Sequence, residues 1–360
     1  MNKIINIVLT GGPCAGKTTA LAKVIQYFTY RGYAVYAQPE AATLFNQGGV
    51  NFLTDDKRLF FECEKQLLSF QLQTEECFRK MAEWSGKPAI IVYDRGVMDI
   101  AAYMSKDMWE ALLDEMRLNE VDVRDKRYDA VLHLCTAAKG AAEFYTCANN
   151  SSRTENIEQA IMLDDKIITA WTGHPHFRVI PNESTFENKL KTVIAEISSV
   201  IGIPESIEME RKFIVDIVGD IPNSREMEIF QTYLSTQSDE ESRIRKRGEN
   251  GHYAYFLTTK KQVVSNQRVE LERQITPSEY MDLLNKAHPD KQTIHKKRRC
   301  FVWDNRYYEL DTFINPTLPH CLLEIEDVAK NETISFPPFL KVVEEVTDNP
   351  DYYNSNIAKR

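Results

Sequence analysis

The sequence has no Cys-x-x-Cys pair and no histidine–cysteine cluster at zinc-binding spacing, although it contains 7 cysteines. That excludes the common zinc ribbons and the dithiol redox motif. Cys14, Cys63, Cys77, Cys135, Cys147, Cys300 and Cys321 are scattered, as small apolar core residues are. Such usage suits a reducing compartment, and a cytoplasmic location is expected. No apolar run approaches the ~20 residues that span a bilayer, so no transmembrane segment is expected. The N-terminus also lacks the basic start and small-residue cleavage site of a signal peptide. Positive charge is short as well. The formal net charge is -9, which argues against nucleic acid or an anionic membrane as a partner of the whole surface. A local basic pocket remains compatible with that balance.

What is present is enough for two cores. The chain has 360 residues, 43% of them hydrophobic and 27% charged, a soluble globular composition. Up to about residue 203 short β-branched runs alternate with helical spacing. Ile4 to Leu9, Ala34 to Ala37, Ala89 to Tyr93, Ala130 to Leu134 and Arg178 to Ile180 read as strands, and Thr18 to Arg31 and Leu59 to Trp84 as amphipathic helices. Strands alternating with helices predict an α/β domain with a parallel sheet covered on both faces. After Gly202-Ile203-Pro204 the helical period fades and charges recur at every second residue, the period of a strand. The expected domains are residues 1–203 and 204–360. Ser235 to Ser242 reads as a polar loop.

Gly11-Gly12-Pro13-Cys14-Ala15-Gly16-Lys17-Thr18 fits GxxxxGK[ST] between a strand and a helix, the context that gives this motif meaning. Backbone amides of the Gly-rich turn and the helix N-terminus converge on phosphate oxygens. Lys17 is placed to reach the β- and γ-phosphates, and Thr18 to ligate Mg²⁺. Thr19 completes the predicted nucleotide-binding run. Asp94, at the carboxyl end of a buried strand, is a candidate for the Mg²⁺ water shell, for activating an acceptor, or for capping the next helix. Arg95 is a candidate substrate contact or a partner of Asp99. Glu40 is a candidate acceptor ligand or a helix-start carboxylate. Arg153, in a polar stretch before a helix, is a candidate lid residue or a surface cap.

These residues carry a family resemblance. Tyr93-Asp94-Arg95-Gly96-Val97-Met98-Asp99, Phe144-Tyr145-Thr146, Ala148-Asn149-Asn150, Arg153 and Trp171-Thr172-Gly173-His174-Pro175 resemble the P-loop domain of the TRPL translocation defect protein family. That domain is of the AAA type and similar to nicotinamide riboside kinases. The resemblance gives His174 and Trp171 no role, and a packed histidine is the plainer expectation for His174.

The second half resembles another superfamily. Ile207-Glu208-Met209-Glu210-Arg211-Lys212-Phe213 is similar to the ExExK signature of the CYTH proteins, the triphosphate tunnel enzymes. The resemblance implies eight antiparallel strands closed into a β-barrel tunnel, with basic residues for a polyphosphate and acidic residues for metal. Lys212, Arg243, Arg245, Lys260, Lys296 and Arg298 are the candidate phosphate ligands. Glu208, Glu210, Glu270, Glu272, Asp311, Glu324 and Glu326 are the candidate shell for Mg²⁺ or Mn²⁺, with Glu210 and Glu326 as candidate catalytic carboxylates. A triphosphate carries about four negative charges, so several cations must converge on it and must themselves be balanced. The translocation defect family joins the same two domains in this order.

Two functions follow as expectations. One is a metal-dependent phosphohydrolase acting on tripolyphosphate or a nucleotide, coupled to a P-loop NTPase or kinase-like domain. The other is a nucleotide-gated switch whose tunnel holds a phosphorylated ligand, such as phosphatidic acid, without turnover. The base is unread: Cys135-Thr136-Ala137-Ala138-Lys139 stands where a guanine motif would, so ATP or GTP is the expected ligand.

Overall fold

Ile4–Thr10, a β-branched run with no charge, forms the central strand β1 of a parallel sheet. The computed structural model describes residues 3–52, 54–144, 156–182, 185–203, 210–236, 241–264, 267–326, 328 and 332–360, with backbone alone at 144, 261–264 and 267–270. Two units divide the chain, Met1–Ile197 and Ser198–Arg360.

In the first unit β1 leads through α1 (Lys17–Tyr30), β2 (Ala34–Gln38), α2 (Ala41–Gln47) and α3 (Lys57–Trp84) to β3 (Ala89–Asp94). Then come α4 (Val97–Ala101), α5 (Lys106–Met116), β4 (Ala130–Leu134), α6 (Ile157–Trp171), β5 (Phe177–Ile180) and α7 (Phe186–Ile201). The strand order is β2-β3-β1-β4-β5, every pair parallel. Helices cover both faces, which is why β3 and β4 read as unbroken apolar runs and are buried almost throughout. Strand β1 sits where the connections turn from one half of the sheet to the other, and its carboxyl end opens on the crevice that such sheets use for ligands.

The second unit holds β6 (Glu210–Ile217), β7 (Arg225–Tyr233), β8 (Glu241–Glu249), β9 (His252–Val264), β10 (Gln267–Gln274), α8 (Pro277–Leu284), β11 (Ile294–Trp303), β12 (Arg306–Asn315), β13 (Cys321–Glu326) and β14 (Leu340–Glu345). They form one antiparallel sheet of nine strands, ordered β10-β9-β8-β7-β11-β12-β13-β6-β14, one more than the eight implied by resemblance. The expected loop 235–242 gives up its last two residues to β8.

Alternation sorts the side chains of this sheet. One face buries Phe213, Val215, Phe301, Tyr308, Leu310, Leu323 and Ile325 beneath Phe339 and Leu340, and Ile244 beneath Ile275 and Tyr280 at α8. Lys212, Glu324, Asp311, Arg298 and Arg245 occupy the other face. The charge of Lys260 on β9 acts on Glu210 on β6, although five strands separate them in the ladder. The sheet therefore curls until its second and eighth strands confront each other. Beyond the charges on that face, Ile214, Tyr233, Ile294, Phe313 and Leu322 pack with Val346, Ile357 and Ala358 and fill one end.

Candidate functional site

The P-loop is built as its sequence requires. Gly11, at φ 143°, passes so close to β4 that a Cβ would lie 2.1 Å from the Leu134 carbonyl oxygen. Gly16 caps α1 in the left-handed region at φ 88°. No acidic residue stands in the first turn of α1, so the partial positive charge of its N-terminus is left for an anion. Thr18 and Thr19 are exposed there, and Pro13, Cys14 and Ala15 complete the turn. The Lys17 ammonium bends back over the loop and donates to the carbonyls of Gly11 (2.9 Å) and Gly12 (3.2 Å). Burial pushes its pKa down to about 8, with the Arg95 guanidinium adding to the effect.

Asp94 ends β3 facing this lysine. Its Oδ1 is buried and has no hydrogen-bond partner among the described residues, and burial raises its carboxyl above the usual range. It does not cap the next helix, because Asp99 takes the Gly96 amide at 3.0 Å. An orphaned hard oxygen facing the P-loop lysine suits a hydrated divalent cation. Arg95 donates to Glu40 (2.6 Å) and to Asp99 (2.9 Å), while Glu40 also accepts from Thr43 (2.8 Å). Burial opposes the charge on Glu40, but Arg95 and Lys17 outweigh it and lower its pKa. Arg153 lies outside the described residues. His174 is fully buried, with Nε2 against the Tyr128 carbonyl (3.1 Å) and Nδ1 accepting the His176 amide (3.1 Å), a packed role.

Other charges that shape the loop escaped the sequence reading. Asp164 on α6 is fully buried and accepts from the amides of Gly12 (2.8 Å) and Thr136 (3.2 Å), with His133 Nε2 at 3.0 Å. Lys189 on α7, 4% exposed, donates to the carbonyls of Ala15 (3.2 Å) and Cys135 (2.7 Å) and to Asn182 (2.8 Å). The signal was there: Asp164 lies on the buried stripe of α6 with Ala160, Ile167, Ile168 and Trp171. A charge on an apolar stripe needs a partner.

Glu64 has the same signature on α3, where it shares the buried stripe with Leu67, Leu68, Gln71 and Glu75. Its Oε2 has no partner among the described residues, and burial pushes its carboxyl up to about 7. The folded chain thus keeps this proton up to about pH 7, whereas the unfolded chain releases it near pH ~4.3. Stability contributed by the protonated form is full below ~4.3 and lost as pH rises to about 7. Glu64→Gln is expected to melt with the parent chain at pH 4.5. At pH 8 it should melt about 10 °C higher, since a shift from ~4.3 to about 7 is worth ~3–4 kcal/mol and a unit of this size moves ~2–4 °C per kcal/mol. Thermal melts at both pH values check it, and a difference independent of pH would refute it.

The register of the second unit brings the predicted basic and acidic residues together. Arg298 stands opposite Asp311, which lies near Glu324 across β12 and β13, and Glu324 stands opposite Lys212. The Arg298 guanidinium donates to Asp311 (2.7 and 2.6 Å), to Glu324 (2.6 Å) and to Glu309. Lys296 pairs with Asp311, and Lys212 with Glu324 (2.8 Å) and Glu210 (3.2 Å). Burial works against the charge on Glu324, yet Lys212, Lys296 and Arg298 hold its pKa far below the usual range.

On the opposite wall Arg245 donates to both oxygens of Glu272 (2.7 and 2.8 Å), which also accepts from Thr258 (2.7 Å). Arg243 and Arg247 flank Arg245 on the same face of β8. Burial lowers the pKa of Arg245; Glu272 resists that, while Arg247, Arg243 and Arg298 reinforce it. Such crowding of positive charge invites a polyanion.

Among the predicted metal ligands, Asp311, Glu272 and Glu324 have both oxygens on donors. Glu210 and Glu326 face each other on β6 and β13, two hard oxygen donors of the type that Mg²⁺ and Mn²⁺ take. Glu210 keeps 41% of its side chain accessible, yet surrounding protein and then Glu324 raise its pKa. A side chain that water reaches but protein encircles is one that lines a lumen. Glu208 lies outside the described residues, as does the side chain of Glu270. Arg247 and Glu309 join this face by continuing the period-two pattern, though the sequence reading had not assigned them as ligands.

Comparison with known proteins agrees with both halves. Residues 6–189 match the family model of an AAA domain. An inorganic triphosphatase of Nitrosomonas europaea is 29% identical over 153 residues in the C-terminal part, covering 42% of this chain and 96% of that protein. A crystal structure of an inorganic triphosphatase is 27% identical over 42% of this chain and 95% of that one, with a TM-score of 0.33. A protein of Pyrococcus horikoshii OT3 is 22% identical over 35% of this chain and 80% of its own, with a TM-score of 0.27. Among the described residues no helix is long and apolar enough to cross a membrane.

Proposed function

The chain belongs to the AAA domain family through residues 6–189, and from that premise we propose that its first unit binds a nucleoside triphosphate with Mg²⁺ on the P-loop while its second unit hydrolyses a triphosphate. The substrate of the second unit is inorganic tripolyphosphate or the triphosphate of a nucleotide. One observation carries this reading: the strand register gathers Lys212, Lys296, Arg298 and Arg245 with Glu210, Glu324 and Glu326 on one face of a curled sheet. The likeness to an inorganic triphosphatase supports it.

Within that face the labour divides. Arg243, Arg245 and Lys260 on β8 and β9 hold the phosphate chain. Arg298 and Lys296 are committed to Asp311 and Glu324, and fix the wall against which the chain lies. Glu210 and Glu326 orient or deprotonate the attacking water. A divalent cation there, Mg²⁺ or Mn²⁺, supplies neutralisation of charge on the phosphate oxygens. On the P-loop, Lys17 exchanges the Gly11 and Gly12 carbonyls for phosphate oxygens, and Thr18 with Asp94 takes up the cation and its water.

The test is phosphate release from tripolyphosphate by the full chain, with Mg²⁺ or Mn²⁺ and with chelator. Metal-dependent release is expected. Binding without release would favour a switch that holds its ligand, and no binding would mean that the charged face serves only the fold.

A further inference from the structure

The P-loop accounts for phosphates but leaves the base without a seat. Asp94, Glu40 and Arg95 all lie after β2 and β3, on one side of β1, and Lys17 feels all three. That is the terminal-phosphate side, since the lysine reaches the β- and γ-phosphates. A phosphate chain lying along the loop therefore delivers its nucleoside to the opposite side, over the segments that follow β4 and β5.

There Phe186 opens α7 with 46% of its surface exposed. Its ring lies against the P-loop: a Cβ on Gly16 would come within 2.5 Å of Cε2 and 2.8 Å of Cζ. The position is fixed, because Lys189, one turn further along α7, donates to the Ala15 carbonyl of the same loop. An exposed aromatic at the rim of a phosphate site, held by a buried lysine, offers a platform.

Among the described residues beside this ring, Asn182 and Lys139 are committed elsewhere. Asn182 donates to the carbonyls of Thr136 and Lys139 (2.8 Å each) and accepts from Lys189 (2.8 Å). Lys139 is held between Asp164 (2.9 Å) and Asp165 (2.6 Å). We propose that Phe186 stacks on the nucleobase and that the P-loop site takes adenine and guanine nucleotides with little discrimination. Every base has a π-face, so stacking tolerates either. Stacking by itself has little with which to reject the wrong base.

This inference rests on the P-loop reading, and its test separates the two. In the full chain, Phe186→Trp places a fluorophore at the rim. Mg-ADP and Mg-GDP are expected to quench it with affinities within about fivefold of each other, as stacking predicts. Adding Lys17→Ala should abolish the quench. Pyrophosphate, which has no base, should compete with ADP while leaving emission unchanged. By calorimetry, Phe186→Ala should weaken ADP and GDP about tenfold and leave pyrophosphate as before. Unchanged nucleotide affinity in Phe186→Ala overturns the stacking. Equal losses for ADP and pyrophosphate overturn it too, because the ring then only props Gly16. A preference above about thirtyfold for one base overturns the lack of discrimination, since it exceeds what stacking tolerates. If no Lys17-dependent binding of either ligand exists, the P-loop reading itself falls.

Discussion

Lys17→Ala is expected to weaken Mg-ATP and Mg-GTP binding at the P-loop by roughly 100-fold or more, the cost of truncating one side of a desolvated charge pair. Lys17 is the formal cation inside the loop, and its ammonium already sits over the carbonyls of Gly11 and Gly12 where the phosphates enter. The fold should survive. A lysine whose pKa is pushed down to about 8 by burial is destabilised in its charged form, so its removal relieves strain on the folded state below that pH. The same shift predicts a pH dependence in the parent chain. Phosphate binding requires the ammonium, and the free protein loses it above about 8. Affinity should therefore fall up to ~10-fold per pH unit above that value, and hold steady below it. Calorimetric titration at pH 7 and pH 9, with thermal melts of the variant, checks both. Isotherms unchanged by the substitution in affinity and stoichiometry would end the assignment.

The same residue shows what a sequence reveals by itself. Gly11 to Thr18 is contiguous, and the left-handed φ at Gly16 is a local need, although the close approach at Gly11 answers to Leu134 on β4. The face of each later strand was legible because alternation is local too. Lys296 and Arg298 must share a side, as must Glu324 and Glu326. Even one pairing was within reach. Asp304 and Asn305 take φ 49° and 57° in a two-residue hairpin turn, and that turn alone sets Arg298 opposite Asp311.

What stayed hidden needed contacts between distant segments. Nothing local pairs Lys212 with Glu324, which are 112 positions apart, or brings Asp164 to the Gly12 amide across 152. Those residues announce only that they need a partner. Asp164, Lys189 and Glu64 each place a charge on an apolar helical stripe. Asp164 and Lys189 turn out to brace the P-loop from behind, whereas Glu64 has an oxygen with no partner among the described residues. The curl of the second sheet was likewise invisible to periodicity, since a flat sheet shows the same alternation.

Glu210→Gln is expected to lower the turnover of tripolyphosphate by roughly 100- to 1000-fold, the scale of losing a general base or the charge that holds a hydrolytic water. The side chain opens on the lumen, faces Glu326 across the ladder and lies 3.2 Å from the Lys212 ammonium. Glutamine keeps the shape and removes the charge, so the wall built from Arg298, Asp311 and Glu324 stays paired and the phosphate chain still meets Arg243 and Arg245. KM should change little while kcat collapses. Surrounding protein and the Glu324 charge raise the pKa of Glu210. The parent's activity should therefore fall on acidification at a pH above the ordinary carboxylate range, and the residual activity of the variant should lack that limb. A purely structural Glu210 would instead give a lower melting temperature with the pH profile intact. Phosphate release across pH 5 to 9, for parent and variant, separates the outcomes. Full turnover by Glu210→Gln would remove this carboxylate from the chemistry and leave the task to Glu326.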